Sequence, residues 1–260
     1  MRIKLTQTTF DKVYKSFGIE AGDNLKHLQL YFNQDFDDKF PCFEWFKDAL
    51  PHIDSILHLG CNLGKETFAL AWGLKVHKIE GIDSVPEKIE YARERVRIIN
   101  YFRKPVIEQF QTWYKAIPSW YEEIPYEIRE GVLPKFRDAL DFSLPIPENY
   151  FEPDNYFDLV YCRYCLYQIA KKGQNYLHSA CQNIRNIVRP ETGRVVIIEP
   201  TNEKNVTYEF KKCLQDAGLT LLMVEEEDGH LGRREIDNLK NRDKGLASPK
   251  GYILKREKAR

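Results

Sequence analysis

The sequence predicts an α/β protein: a doubly wound, mostly parallel seven-stranded sheet with an antiparallel C-terminal hairpin, a helical N-terminal cap and a helical insert. Three observations predict it. Residues 56–70, ILHLGCNLGKETFAL, place a short apolar run, a glycine turn and a helix start in succession. A second strand, Lys78–Ile82, follows that helix and ends on an acid, Asp83. Beyond it, strand and helix patterns keep alternating, which implies parallel strands with helices packed on both faces.

The elements follow in order. Residues 1–50 read as a helical cap, with apolar positions Phe10, Val13, Tyr14 and Phe17, then Leu25, Leu28 and Tyr31. The string FPCFEWF, residues 40–46, adds an aromatic cluster. Residues 51–260 form the main domain, opening with the strand Ile56, Leu57, His58 and Leu59. In the turn after it, Gly60 permits a sharp bend and Gly64 lets the next helix approach the strand closely. Asn62, between them, is the non-glycine residue type that best tolerates a left-handed backbone. A helix over Lys65–Gly73, the strand ending at Ile82, and a helix from Pro86 to about Tyr101 come next; proline is tolerated in a first helical turn. Residues 133–137 read as the third strand, ending on Asp138. Residues 156–162 read as the fourth, after the turn PENYFEPDN. A helix over 174–188 stops before Arg189-Pro190. TGRVVIIEP supplies a fifth strand with β-branched residues at its centre. Residues 206–217 are a helix ending at Gly218, residues 219–224 a sixth strand, and GYILKREK the last.

Two segments break the alternation. Residues 102–132 stand between a helix and a strand, a connection usually only a few residues long. They carry two tryptophans and several tyrosines, so packing along the sheet flank or contact with a second copy in a homodimer suits them as well as gating a pocket does. Residues 225–250 are strongly charged and poor in apolar groups, and read as a loop within the terminal hairpin.

Composition narrows the function classes. The chain has 260 residues, of which 43% are hydrophobic and 13% aromatic, enough for a full core. Thirty-nine basic and thirty-nine acidic residues balance to a formal net charge of +0, which argues against the basic excess of a broad nucleic-acid footprint. The N-terminal MRIKLTQTTF lacks the apolar core of a signal peptide, and no apolar run is long enough to cross a bilayer. The expectation is a cytoplasmic protein with no membrane partner. Its six cysteines are scattered through apolar contexts, as reduced buried thiols are. The pair Cys162-x-x-Cys165 looks like half a metal site, but no second pair stands at suitable spacing, so no metal is expected. His178, on a helix, reads as an ordinary surface or core residue.

The strings LHLGCNLG, GIDSVPEKIEYAR, RDALDFSLP, YFDLVYCRYCLYQI and VRPETGRVVIIEP, in this order and each at a strand end, resemble a class I S-adenosylmethionine-dependent methyltransferase. The resemblance covers roughly residues 55–200, omitting the insert, and makes 51–260 a Rossmann-like domain. It implies S-adenosyl-L-methionine as cofactor and S-adenosyl-L-homocysteine as product. The turn from Gly60 through Cys61 and Asn62 to Gly64 would pass beside the methionine half of the cofactor. Asp83, about 20 residues beyond the turn, would accept bonds from the ribose hydroxyls; its alternative role is to cap the helix starting at Pro86. Asp138 and Ala139 match the pair that reads adenine, with Ser84, Val85 and Leu140 flanking the ring, or else form an ordinary polar turn. Cys162, Arg163 and Tyr164 stand at the end of the fourth strand, where open α/β sheets bind ligands. Arg163 would hold a carboxylate through its fork. Tyr164 and Tyr167 would line the acceptor pocket and face the sulfonium, or are simply packed aromatics.

Two positions depart from that family's pattern. His58 replaces a usual acid, leaving Glu66 or Glu199 to compensate, and Asn62 replaces a glycine. No dedicated base stands out; Tyr164, Tyr167, His58 and Glu199 are the candidates, in that order. The expected activity is methyl transfer to an oxygen or nitrogen of a small-molecule acceptor. Two alternatives stay open. GCNLGKETFALA and FDLVYCRYCLY also resemble the GC-x-x-GEE-x-x-x-LA and FDLIFCRNVLIY strings of the chemoreceptor glutamate methyltransferases, departing at Lys65 and Tyr164, which points to protein carboxylate methylation. A binding module without turnover is the other.

Overall fold

The computed structural model describes residues 44–103, 132–147, 150–151, 156–200, 206–226 and 249–256. The expected cap before residue 44, the insert from 104 to 131 and the loop from 227 to 248 lie outside the described residues. Seven strands form one sheet in the order β3-β2-β1-β4-β5-β7-β6. They are β1 (Ser55–Leu59), β2 (Lys78–Ile82), β3 (Lys135–Phe136), β4 (Leu159–Arg163), β5 (Arg194–Pro200), β6 (Leu219–Glu226) and β7 (Pro249–Arg256). The described residues before and between them include helices α1 (Glu44–Lys47), α2 (Lys65–Gly73), α3 (Pro86–Arg103), α4 (Leu166–Lys172), α5 (Gln174–Ile187) and α6 (Val206–Asp216). None of the described helices is long and apolar enough to cross a membrane. The chain falls into two compact units, one holding residues 61–139 and the other 41–60 with 140–260.

In the first unit, β2 and β3 pair in parallel, Glu80 opposite Lys135 and Gly81 opposite Phe136. The Phe136 ring is the centre of packing here. It lies against Phe68 of α2, with ring centroids 6.2 Å apart, and occupies the space a side chain at Gly81 would need. Glu80 is buried, and Arg137 answers its charge with two guanidinium bonds, the longer at 3.2 Å. A buried carboxylate without such a partner would be costly. The third strand is shorter than the five residues expected. Pro134 has no N–H to donate to a ladder, and beyond Phe136 pairing continues only as the Arg137 N–H to Gly81 carbonyl bond at 3.0 Å.

In the second unit, β1, β4 and β5 run parallel, and β7 and β6 complete an antiparallel hairpin. All five residues of β1 are buried, as expected of a strand covered on both faces. Helix α5 buries Leu177, Ala180, Cys181, Ile184 and Ile187, spaced to form one stripe; burial of Leu177 and Ile184 contributes roughly 2 kcal/mol each. The helix ends one residue early because Val188 is extended, with ψ 137°. The fourth strand starts three residues later than expected. The Asp158 N–H donates to Ser55 Oγ at 3.0 Å instead of to a ladder. Its carboxylate in turn accepts from the Ser55 hydroxyl and the backbone N–H groups of Asp54 and Ser55, and pairs with Arg189. Phe46 of α1 is fully buried against Tyr161 of β4, ring centroids 5.9 Å apart, which anchors the described end of the aromatic cluster.

Candidate functional site

In the first unit the glycine turn has the conformation its residues require. Asn62 lies at φ 52° and Gly64 at φ 82°, both left-handed. The turn is held at two points. Cys61 donates its N–H to the Ile82 carbonyl at 2.9 Å, and Asn62 donates its N–H to Asp83 Oδ2 at 3.0 Å. Asp83 Oδ1 accepts the Val85 N–H, also at 3.0 Å, so the carboxylate braces the entry to α3 as well. It is 8% exposed, and each oxygen has a lone pair left for a further donor. The Oδ1 bond goes to Val85, the residue before α3, so Asp83 closes a turn at the helix entry rather than capping a first-turn N–H, and it leaves acceptor capacity at the tip of β2.

The other residues read as a nucleoside site in this unit are more exposed. Ser84 and Asp138 are exposed and Val85 and Ala139 half-buried. Asp138 Oδ1 accepts a 2.7 Å bond from Arg93 of α3, whose Nε binds the Phe136 carbonyl at 2.9 Å. The Arg93 hydrogen bond, and then its charge, hold the Asp138 carboxyl below the usual carboxylate range. Arg93 was not singled out in the sequence; it stands 45 residues from its partner, and no local pattern links the two.

In the second unit, Gly60 lies at φ 68° and packs on Cys165. A side chain there would come within 3.1 Å of Cys165 Cβ. Two residues assigned to the cofactor lie inside the sheet: His58 is 1% exposed, its ring edge-on to Tyr161 at 5.1 Å, and Cys162 is 0% exposed. Leu140 is half-buried. At the tip of β4, Arg163 and Tyr164 are half-buried and Tyr167 is buried. Tyr164 lies at φ 55°, a region that costs a non-glycine residue roughly 1–3 kcal/mol and is found mostly where function or tight context demands it. Its N–H bonds the Ile198 carbonyl at 2.9 Å. Each tyrosine ring already has a protein cation on it: the Arg163 guanidinium lies 5.0 Å from the Tyr164 centroid and Lys171 Nζ 4.3 Å from that of Tyr167.

Sequence patterning missed α4, seven residues that are too few to show a helical period. It also missed what Glu199 does. This side chain, 4% exposed at the end of β5, accepts the N–H groups of Leu166 at 2.7 Å and Tyr167 at 3.1 Å, the first turn of α4. The Cys162 thiol stands 3.9 Å from Oε1. Enclosed and bonded in this way, Glu199 is poorly placed to act as a base on a substrate. Burial pushes its pKa up to about 8, against the pull of the backbone donors of Leu166, Tyr167 and Cys165. Burial, then Cys165 and Glu199, push the Cys162 thiol well above its ordinary value, the direction expected of a thiol enclosed away from water. His178 is exposed. Among the described residues no cluster of three or more His, Cys, Asp or Glu is arranged to hold a metal.

The raised Glu199 pKa fixes the sign of a pH effect. The unfolded chain releases this proton near 4.5, the folded chain only at about 8. Between those values the folded state binds more protons, so stability falls as pH rises through the window and levels off above it. Thermal unfolding of the wild type and Glu199→Gln from pH 5 to pH 9 checks this. The wild-type advantage is expected to shrink steadily up to about pH 8; an advantage that is constant or growing with pH would contradict the assignment.

No family model matches the sequence, and no curated protein matches it. Solved structures do. A TehB-like SAM-dependent methyltransferase from Corynebacterium glutamicum aligns with a TM-score of 0.53 at 15% identity, over 90% of this chain and 97% of its own. Magnesium protoporphyrin IX methyltransferase from Synechocystis, solved with bound SAM, aligns at 0.51 and 12% identity, over 97% and 92%. The (4+2)-cyclase SpnF aligns at 0.52 and 12% identity, over 83% and 81%. Identities this low speak to architecture, and the architecture this chain shares is that of the class I S-adenosylmethionine-dependent methyltransferases.

Proposed function

We propose that the chain is an S-adenosylmethionine-dependent methyltransferase acting on an oxygen or nitrogen of a small-molecule acceptor. One observation carries the reading: a left-handed glycine turn is bonded by Asn62 to the carboxylate of Asp83, in a fold shared with methyltransferases. The residues present fit the cofactor. Asp83 keeps acceptor capacity suited to paired ribose hydroxyls, and the side-chain-free positions at Gly60 and Gly64 let backbone come close to a ligand. In the first unit Asn62, Asp83, Ser84, Asp138 and Ala139 would hold the nucleoside. Asp138 can accept the adenine amine while it keeps Arg93, since a carboxylate has about four lone-pair sites.

When bound, the cofactor supplies an electrophilic methyl group whose bonding pair leaves with sulfur. The chain's own contribution is then alignment, which can account for much of the barrier in such displacements. In the second unit Arg163 would hold an anionic group, on the cofactor or the acceptor, and Tyr164 would present a rigid aromatic wall, its backbone fixed at φ 55°. With Glu199 engaged by α4, no dedicated base is part of the proposal. The acceptor atom would carry an available lone pair or lose its proton to water. Cytoplasmic location and self-association through residues 102–132 belong to the same reading as expectations.

Thermal unfolding with added ligand tests it. At a concentration one hundred times the dissociation constant, S-adenosylhomocysteine should stabilise by about 2.7 kcal/mol, raising Tm by roughly 5–10 °C. No shift at millimolar ligand would sink the reading. The second reading is a chain that binds the cofactor without turnover, since one fold hosts many functions and a structure of similar fold is named a (4+2)-cyclase. Methyl label appearing in a small-molecule extract supports the first reading. Base-labile label on protein would move the assignment to a carboxylate methyltransferase, and binding without any label would favour the second reading.

A further inference from the structure

Helix α4 begins without help from its own sequence. Its N-cap residue, Cys165, makes no side-chain hydrogen bond to the helix, although the first N–H groups of any helix lack intrahelical partners. The acceptors come from β5 instead: Glu199 Oε1 takes the Leu166 N–H and Oε2 takes the Tyr167 N–H. One residue earlier on the same strand, the Ile198 carbonyl takes the N–H of Tyr164. The elbow between β4 and α4 is thus fastened to the end of β5 through the backbone amides of Tyr164, Leu166 and Tyr167. Between those amides sits Cys165, the residue that Gly60 packs against.

We propose that Glu199 is a positioning residue: its carboxyl group fixes the first turn of α4 and, through Cys165, sets Gly60 at the start of the cofactor loop. The effect on cofactor rests on the methyltransferase reading; the fastening of α4 does not. A carboxyl group is required because two N–H donors converge on two different oxygens. A glutamine at this position offers one acceptor and turns its own N–H₂ towards the second donor.

The test uses the full chain as wild type, Glu199→Gln, Glu199→Met and Asp158→Asn. Glu199→Met keeps most of the volume and removes both acceptors, and serves if Glu199→Gln does not fold. Asp158→Asn loosens the opposite end of β4 and controls for general loss of stability. Hydrogen exchange at the amides of Leu166 and Tyr167 should rise about tenfold or more in the Glu199 variants, with β1 unchanged. S-adenosylhomocysteine, titrated calorimetrically at a temperature where every variant is folded, should bind about five- to tenfold more weakly to the Glu199 variants and normally to Asp158→Asn. Unchanged exchange at Leu166 and Tyr167 overturns the proposal. Equal loss of affinity in Asp158→Asn overturns the positioning role. If the wild type binds no S-adenosylhomocysteine, the methyltransferase reading fails and exchange alone decides whether Glu199 fastens α4.

Discussion

Gly64→Ala should lower Tm by roughly 6–12 °C, the equivalent of about 3 kcal/mol or more. Two costs coincide at this position. The backbone stands at φ 82°, where a side chain costs about 1–2 kcal/mol in any surroundings. A Cβ there would also fall 2.5 Å from Phe136 Cζ and 3.0 Å from Cε1, with Ala92 Cβ at 3.1 Å on another side. Phe136 has little room to yield. It is 5% exposed, packs against Phe68, and already fills the space above Gly81, where a Cβ would meet it at 2.7 Å. The strain must therefore move the turn itself, and cofactor affinity should fall with stability. Trimming the ring distinguishes the two costs: Phe136→Leu in the Gly64→Ala background should recover part of the lost Tm, whereas on its own it should be destabilising. A Gly64→Ala protein melting within about 2 °C of wild type would refute the packing argument.

The parts of this fold that the sequence displayed are those set by local chemistry. Helix α2 and strand β2 have the bounds read from sequence, because Gly60, Asn62 and Gly64 mark one end of the unit and Asp83 and Pro86 the other. Asn62 at φ 52° is the same kind of result: a residue type tolerant of left-handed backbone, found in it. Tyr164 is the counter-example. Nothing local marks an aromatic residue for φ 55°, yet the glutamate methyltransferase string that resembles this segment carries asparagine there, a residue at ease in that region. The departure noted in the sequence thus falls on a strained position.

What stayed hidden was long-range. Glu199 finds its two amides 33 and 32 residues away, and Asp158 reaches Ser55 across 103 residues. Only the folded sheet brings such groups together. His58 was opaque for a further reason. Every residue of β1 is buried, so no alternation of polar and apolar residues could reveal that its ring would pack on Tyr161. The same physics explains Glu199. A lone acid at the end of an apolar strand reads as a ligand or a base, and its enclosure by α4 is visible only once that short helix is in place.

Asp83→Ala is expected to weaken S-adenosylhomocysteine binding at least about tenfold, or 1.4 kcal/mol, and to lower stability by roughly 2 kcal/mol. The stability loss follows from the Asn62 and Val85 amides, each 3.0 Å from a carboxylate oxygen and left without an acceptor by the change. Affinity alone cannot separate a ribose contact from a slackened turn, since both vanish together. Asp83→Asn separates them when read with two ligands. The asparagine keeps one acceptor oxygen and the side-chain size, so much of the turn should survive. If the carboxylate also receives the ribose hydroxyls, the wild type should prefer S-adenosylhomocysteine over its 2′-deoxy analogue, and Asp83→Asn should lose most of that preference. A preference that is identical in the two proteins would confine Asp83 to bracing the turn and the entry to α3. The nucleoside would then need another acceptor in the first unit, and Asp138, exposed and already bonded to Arg93, would be the next carboxylate to test.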